Sequence, residues 1–269
     1  MPRKKKLNIS LIKAVVMSVL SLVMAFGFAL AGIGAQVAAA PMVQFLLGYT
    51  PDRTKGTSIA FALFAAVGGV IGFIAGGTRV DFGLAVTLAV GATLGTILTI
   101  KLGSEPKFAT TRRFGQSIGI AVAVYVFGEA VRHRIGGPQP VLPAMEHWNP
   151  LLLGIGIGIT TGAVSNIFQI ATGILVVPAL VYLAGIEPTR AVITSLAVIA
   201  FAGFLPALSY SSRGVVDKSM GAWMSAAGIF GGFGAGMLLS HVSSTSSLPL
   251  IAFSLISMFL CAWRIWKLT

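Results

Sequence analysis

The sequence predicts an all-α polytopic membrane protein made of two inverted-topology repeats, each a broken or re-entrant helical pair followed by three spans. Three observations carry this. Of the 269 residues 56% are hydrophobic and only 10% charged, against about 25% charged in a soluble domain, so there is too little charge to cover a water-facing surface. The apolar runs, such as those over 11–30, 84–100 and 220–239, are long enough for helices that cross the hydrocarbon, which need roughly 20 residues. A segment near the start recurs in the second half.

Helices rather than strands fit these runs. A helix satisfies its own backbone hydrogen bonds in lipid, and the alternating ten-residue strands of a membrane barrel are not seen. The mean hydropathy of +0.92 agrees. The formal charge of +12 would suggest nucleic acid in a soluble protein. Here the Lys and Arg residues sit in loops and at the ends, where they set orientation and meet anionic lipid, so no nucleic-acid partner is expected. The single cysteine, Cys261, lies in the last apolar run and reads as a small buried residue, with neither an internal disulfide nor a cysteine metal site. The basic stretch 1–13 precedes an apolar run too long for a signal peptide. It reads as a cytoplasmic tail before a retained first span.

The repeat organises the rest. Pro41, Gly48, Pro51, Arg53, Thr57 and Ser58 match Pro178, Gly185, Pro188, Arg190, Thr194 and Ser195 at one ungapped offset of 137, and Val80-Asp81 corresponds loosely to Val216-Asp217. Two domains are expected, 1–136 and 137–269, with 137–148 within the polar linker. Each half reads as five apolar elements, at about 11–31, 35–49, 55–76, 82–101 and 114–132, then 149–165, 168–184, 190–210, 218–240 and 247–267. The second element of each half has only about 15 residues. It is short for a span, and whether it crosses or re-enters stays open. Such an element is tolerated where protein or a cavity surrounds it. With the N-terminus cytoplasmic, the strongest basic clusters fall on one side, the C-terminus is cytoplasmic too, and the halves are inverted, a hallmark of secondary transporters.

Equivalent breaks in inverted halves point to a site near the midplane. The break itself is expected at Gly32, Gly34 and Pro41 in one half and at Thr172, Gly173 and Pro178 in the other. Around them stand Gln36, Thr57, Ser58, Asn166, Gln169, Thr194 and Ser195, with Gln44, Thr160, Thr161 and Ser165 nearby. These are neutral donors, and neither break contains Asp or Glu. Amides, hydroxyls and helix N-termini suit a small anion. Each Ser or Thr can equally bond back to its own helix. The amides Gln36, Asn166 and Gln169 are costly to bury alone, so each is either paired between helices or faces a cavity. Arg53 and Arg190 fall at the mouths on opposite faces, as gating or anion-attracting groups or as interfacial anchors. Glu129 beside Arg132 reads as an ion pair at the membrane edge, and His241 as an interfacial cap. No catalytic residues, metal ligands or cofactor motif stand out, so an enzyme is not expected.

The repeated segments resemble those of the sulfite exporter TauE/SafE family. The pattern is a Gly-rich break, an apolar stretch into Pro, a short run, then a turn and Thr-Ser. It stands here as Ala31-Gly-Ile-Gly-Ala-Gln-Val-Ala-Ala-Ala-Pro41 leading to Gly56-Thr57-Ser58, and as Gln169-Ile-Ala-Thr-Gly-Ile-Leu-Val-Val-Pro178 leading to Ile193-Thr194-Ser195. The resemblance covers nearly the whole chain. It implies an anion permease of the bacterial or organellar type, with a bacterial inner membrane the expected location, acting on sulfite, a sulfonate or a related organosulfur anion. It further implies coupling to a proton or sodium gradient. A passive anion or small-solute channel, and a membrane scaffold without transport, are the alternative expectations.

Overall fold

A computed structural model describes residues 2–101, 109–134, 149–168, 170–242 and 247–268. Ten helical elements follow one another among them: α1 (Pro2–Ala31), α2 (Gln36–Leu47), α3 (Pro51–Ala75), α4 (Phe82–Lys101), α5 (Ala109–Arg134), α6 (Pro150–Phe168), α7 (Thr172–Pro178, continued by a π-helical turn Ala179–Leu183), α8 (Pro188–Ser212), α9 (Lys218–Ser240) and α10 (Leu248–Leu268). Among the described residues, eight helices are long and apolar enough to cross a membrane, and the two short ones are Gln36–Leu47 and Thr172–Leu183. Large apolar side chains point outward along the spans, among them Val19, Val23, Leu98, Leu205, Phe230 and Phe259. In water such a surface would aggregate; in hydrocarbon it is the natural exterior.

The expected elements are all present, with four of them, α1, α3, α5 and α8, starting earlier than the apolar pattern placed them. α3 begins at Pro51 rather than 55, and α8 at Pro188 rather than 190. A proline in the first helical position costs no hydrogen bond and presets φ, so the polar residues after it are already helical. The short elements end alike, at Gly48 with φ +64 and Gly185 with φ +68. This left-handed cap stops the helix and turns the chain into the next proline. Pro41 and Pro178 both sit inside their short elements. After Pro178 the ladder opens into the π turn, as expected where a proline removes a backbone N–H.

Glycine sets the closest contacts. α3 and α9 run side by side in one direction, with Gly68 against the Ile229 backbone and Gly72 against that of Phe233. α4 and α6 do the same, with Gly91 against Ile155 and Gly95 against Ile159. A methyl group at Gly72 would lie 2.2 Å from the Phe233 carbonyl oxygen, so only glycine permits this approach; small residues at crossings are the usual means of association in lipid. The other main contacts are α1 with α9, α4 with α8, α3 with α8 and α5 with α10. Renaming each element as its counterpart in the other half leaves this set of principal partners unchanged. Phe61, Phe73, Ile33, Ile193, Leu196 and Met224 are fully or almost fully buried in one apolar core.

Candidate functional site

The two breaks meet. Gly32, with φ +66, ends α1, and Gly173 opens α7 directly against it. A β-carbon at Gly173 would sit 2.3 Å from the Gly32 carbonyl oxygen. Ser195 of α8 donates to that same oxygen at 2.8 Å. The start of α7, the end of α1 and the first turns of α8 are thus held at one point.

Beside it opens a cavity of about 390 Å³ that reaches both breaks. α2 contributes Gln36, Val37 and Ala40; α3 contributes Lys55, Ser58 and Ile59; α4, α6 and α10 add Thr96, Ser165, Asn166 and Arg264; the second break adds Ile170, Ala171 and Thr172. Two cations and several neutral polar groups line it, and none of these residues is acidic. Ser58 is 1% exposed, and its hydroxyl has no hydrogen-bond partner among the described residues. An unsatisfied buried hydroxyl costs about 1–3 kcal/mol, and Ser58 shares this condition with Ser21, Tyr182, Thr189 and Ser257 elsewhere in the bundle; of these, Ser58 lines the cavity.

The structure sorts the expected site residues into three places. Gln36, Ser58 and Asn166 share the cavity, as does Thr172 of the second break. The amide of Asn166 also donates to Thr99 Oγ1 on α4 at 2.8 Å, so it both ties two helices and lines the cavity. Thr172 Oγ1 donates to Ser165 Oγ at 3.2 Å. Thr57 and Ser195 serve helix contacts: Thr57 Oγ1 accepts the Asp217 N–H at 3.2 Å. Thr194 lines a separate pocket of about 200 Å³ with Arg79, Asp81 and Arg190. Gln169 lies outside the described residues. Gly34 and Pro41 shape the first break and Pro178 the second, with no direct part in the cavity lining.

Arg53 and Arg190 have different surroundings. Arg53 pairs with Asp217 at 2.8 Å and lies 4.5 Å over the Tyr49 ring, while the Tyr49 hydroxyl donates to the same carboxylate. Burial, then the hydrogen bond and charge of Asp217, push the Tyr49 hydroxyl up to about 12, against the opposing pull of Arg53. Burial also works against ionisation of Asp217. The hydrogen bonds from Tyr49 and the Met220 N–H, with the Arg53 charge, outweigh it and hold this carboxyl below the ordinary range. Arg190 pairs with Glu187, at the N-cap of its own helix, at 3.6 Å. Glu129 pairs with Arg132 at 3.3 Å, the ion pair read from the sequence, and the His241 ring lies at the end of α9 with Nδ1 2.8 Å from the Met237 carbonyl.

Sequence reasoning passed over Lys55, Arg264 and Asp217. Lys55 reads as a loop charge beside Arg53, although its spacing of three from Ser58 places both on one helix face. Asp217 was visible as half of the repeated Val-Asp pair.

Comparison with known proteins agrees with this architecture. Residues 108–263 match the family described as Sulfite exporter TauE/SafE. A protein of Xylella fastidiosa strain Temecula1, named "Probable membrane transporter protein", is 26% identical over 248 residues, covering 90% of this chain and 91% of the relative. One of the same name from strain 9a5c is 27% identical over 246 residues, with 90% and 91% covered. With the family match spanning more than half of a chain that carries eight membrane-length helices, this protein belongs to the sulfite exporter TauE/SafE family and is an integral membrane transporter of a small solute.

Proposed function

We propose that the chain carries a small sulfur-containing anion, sulfite, a sulfonate or a related organosulfur anion, by alternating access through the cavity between the two breaks. The observation that carries this is the cavity's chemistry. Lys55 and Arg264 bring positive charge, Gln36, Ser58 and Asn166 bring neutral donors, no described lining residue is acidic, and the Ser58 hydroxyl waits buried without a partner. A cation would meet repulsion and few acceptors there; a compact oxyanion meets charge and donors together. The family match supports sulfur among anions.

Two inverted repeats, 1–136 and 137–269, complete the proposal. The matching helix partners and matching left-handed glycines support it. So does the placement of equivalent ends, since the start of α3 lies with the start of α9, and the start of α8 beside the start of α4. The Lys and Arg distribution supports cytoplasmic termini in an inner membrane. Gln36, Ser58 and Asn166 would contact the anion, with Gln169 three residues beyond Asn166 in sequence. Thr57, Thr194 and Ser195 would hold the helix ends that move, and a proton or sodium gradient would drive the cycle.

The test is a thermal-shift screen of detergent-purified protein against sulfite, thiosulfate, sulfate, taurine, sulfoacetate and small carboxylates. A ligand of the folded state at a hundredfold excess over Kd adds about 2.7 kcal/mol. Stabilisation by sulfur anions that disappears in Gln36→Ala and Lys55→Gln supports the reading. Stabilisation by carboxylates alone keeps the anion site and removes the sulfur assignment.

A further inference from the structure

Asp81 and Asp217 open the corresponding helices α4 and α9 and cap them in the same way. Asp81 Oδ1 accepts the Leu84 N–H at 2.9 Å, and Asp217 Oδ1 accepts the Met220 N–H at 3.0 Å. Their remaining surroundings diverge. The second oxygen of Asp217 takes Arg53 at 2.8 Å, and the aspartate side chain is left 14% exposed. At the opposite end of the bundle stands Arg190, the counterpart of Arg53. It turns to Glu187, the residue just before its own helix, at 3.6 Å. A pocket of about 200 Å³ lies where its pairing with Asp81 would be, lined by both residues.

Each pairing joins the two halves of the chain. Arg53 belongs to the first half and Asp217 to the second; Arg190 belongs to the second and Asp81 to the first. Such a pair reports and fixes the relative position of the halves. Identical helix caps with one pair made and the other unmade are what two inverted repeats show when each holds a different one of two conformations.

We propose that Arg53–Asp217 and Arg190–Asp81 are reciprocal ion-pair latches, one made in each of the two access states, an inference that rests on the alternating-access reading above. The conformation seen here has the first latch made and the cavity at Lys55 and Ser58 open. In the other state the first latch is broken, Arg190 leaves Glu187 for Asp81, and the pocket between them closes. Arg53 is half exposed, so its pair is a weak one. Weakness suits the role: a latch that must break in every cycle biases the equilibrium without trapping it. Only the pairing changes between the two states.

The experiment uses the full chain in proteoliposomes with Cys261→Ala as background and Ala40→Cys, in the cavity wall, as reporter. The rate of labelling by a membrane-impermeant maleimide measures the share of molecules with the cavity open. Asp217→Asn, which keeps a helix-capping side chain, is expected to slow labelling about two- to fivefold. Asp81→Asn is expected to leave it unchanged or faster, and the exchange Arg53→Asp with Asp217→Arg to restore it. Arg53→Gln and Arg190→Gln repeat the comparison from the other partner if an aspartate variant does not fold. Labelling from one face at a time, with both neutralisations moving the rate in the same direction or not at all, overturns the latch and leaves alternating access standing. Labelling from both faces at once in sealed vesicles overturns alternating access, and the latch with it.

Discussion

Ser58 and Ser195 occupy equivalent positions in the repeat, yet their removal should have opposite consequences. Ser195 is fully buried and donates to the Gly32 carbonyl at 2.8 Å, at the point where α1, α7 and α8 meet. Alanine there removes one hydrogen bond, about 0.5–1.5 kcal/mol, and leaves a carbonyl in an apolar crossing, which raises the cost to about 1–3 kcal/mol. Ser58 is equally buried but its hydroxyl satisfies no described group. Alanine there deletes an unpaired polar atom, so stability should hold or rise by up to about 1 kcal/mol. The assay is equilibrium unfolding of each variant in mixed micelles, run beside flux in proteoliposomes. The expected pattern is Ser195→Ala destabilised, and Ser58→Ala as stable as the parent but with at least a tenfold loss in kcat/KM for the anion. Equal destabilisation of both would show that Ser58 is an ordinary structural hydroxyl. Unchanged flux in Ser58→Ala would remove it from the site.

Three further predictions concern packing, charge and pH. At Gly232 a β-carbon would lie 2.1 Å from the Ala65 carbonyl oxygen, whereas at Gly234 the nearest neighbour is the Phe26 ring at 3.6 Å. Gly232→Ala should therefore lose about 1–3 kcal/mol or fail to fold, while Gly234→Ala stays within about 0.5 kcal/mol of the parent, as unfolding titrations would show. Lys55→Gln should raise the KM for anion roughly fivefold with kcat little changed, and the gap between it and the parent should shrink in high salt. The Asp217 carboxyl is held below its ordinary value, so its contribution to stability is present above about pH 3.9 and is lost as pH falls through the lower folded value. The stability difference between the parent and Asp217→Asn should be equal at pH 7 and pH 5 and close only below about pH 4.

Much of the architecture was legible because lipid simplifies the code. A span must be long, apolar and helical, so runs such as 220–239 announce themselves, and the Pro–Gly–Pro–Arg punctuation made the duplication visible. Helix starts at Pro51 and Pro188 were less visible, because capping chemistry, not hydropathy, decides them. The cavity was half legible. Gln36 and Asn166 were identifiable from the cost of burying amides. Lys55 and Arg264 looked like membrane-edge charges, and only the fold of α3 and α10 around the breaks brings them to one wall. The different fates of Ser58 and Ser195 come from the packing around each serine, which the repeat does not show. Arg53 and Arg190 differ in neighbours that the sequence does show: Tyr49 and Thr50 precede the first, whereas Ile186 and Glu187 hold those places before the second.

Flux tests the central claim, that the cavity between the breaks is the translocation site for a sulfur anion, most directly. Purified protein in proteoliposomes would be offered a radiolabelled sulfur oxyanion, with and without an imposed proton or sodium gradient, beside Gln36→Ala and Asn166→Ala of verified fold. The account predicts saturable, gradient-dependent flux that competing sulfonates inhibit and that both variants reduce at least tenfold. Flux that stays linear with concentration, or is untouched by either substitution, would contradict it.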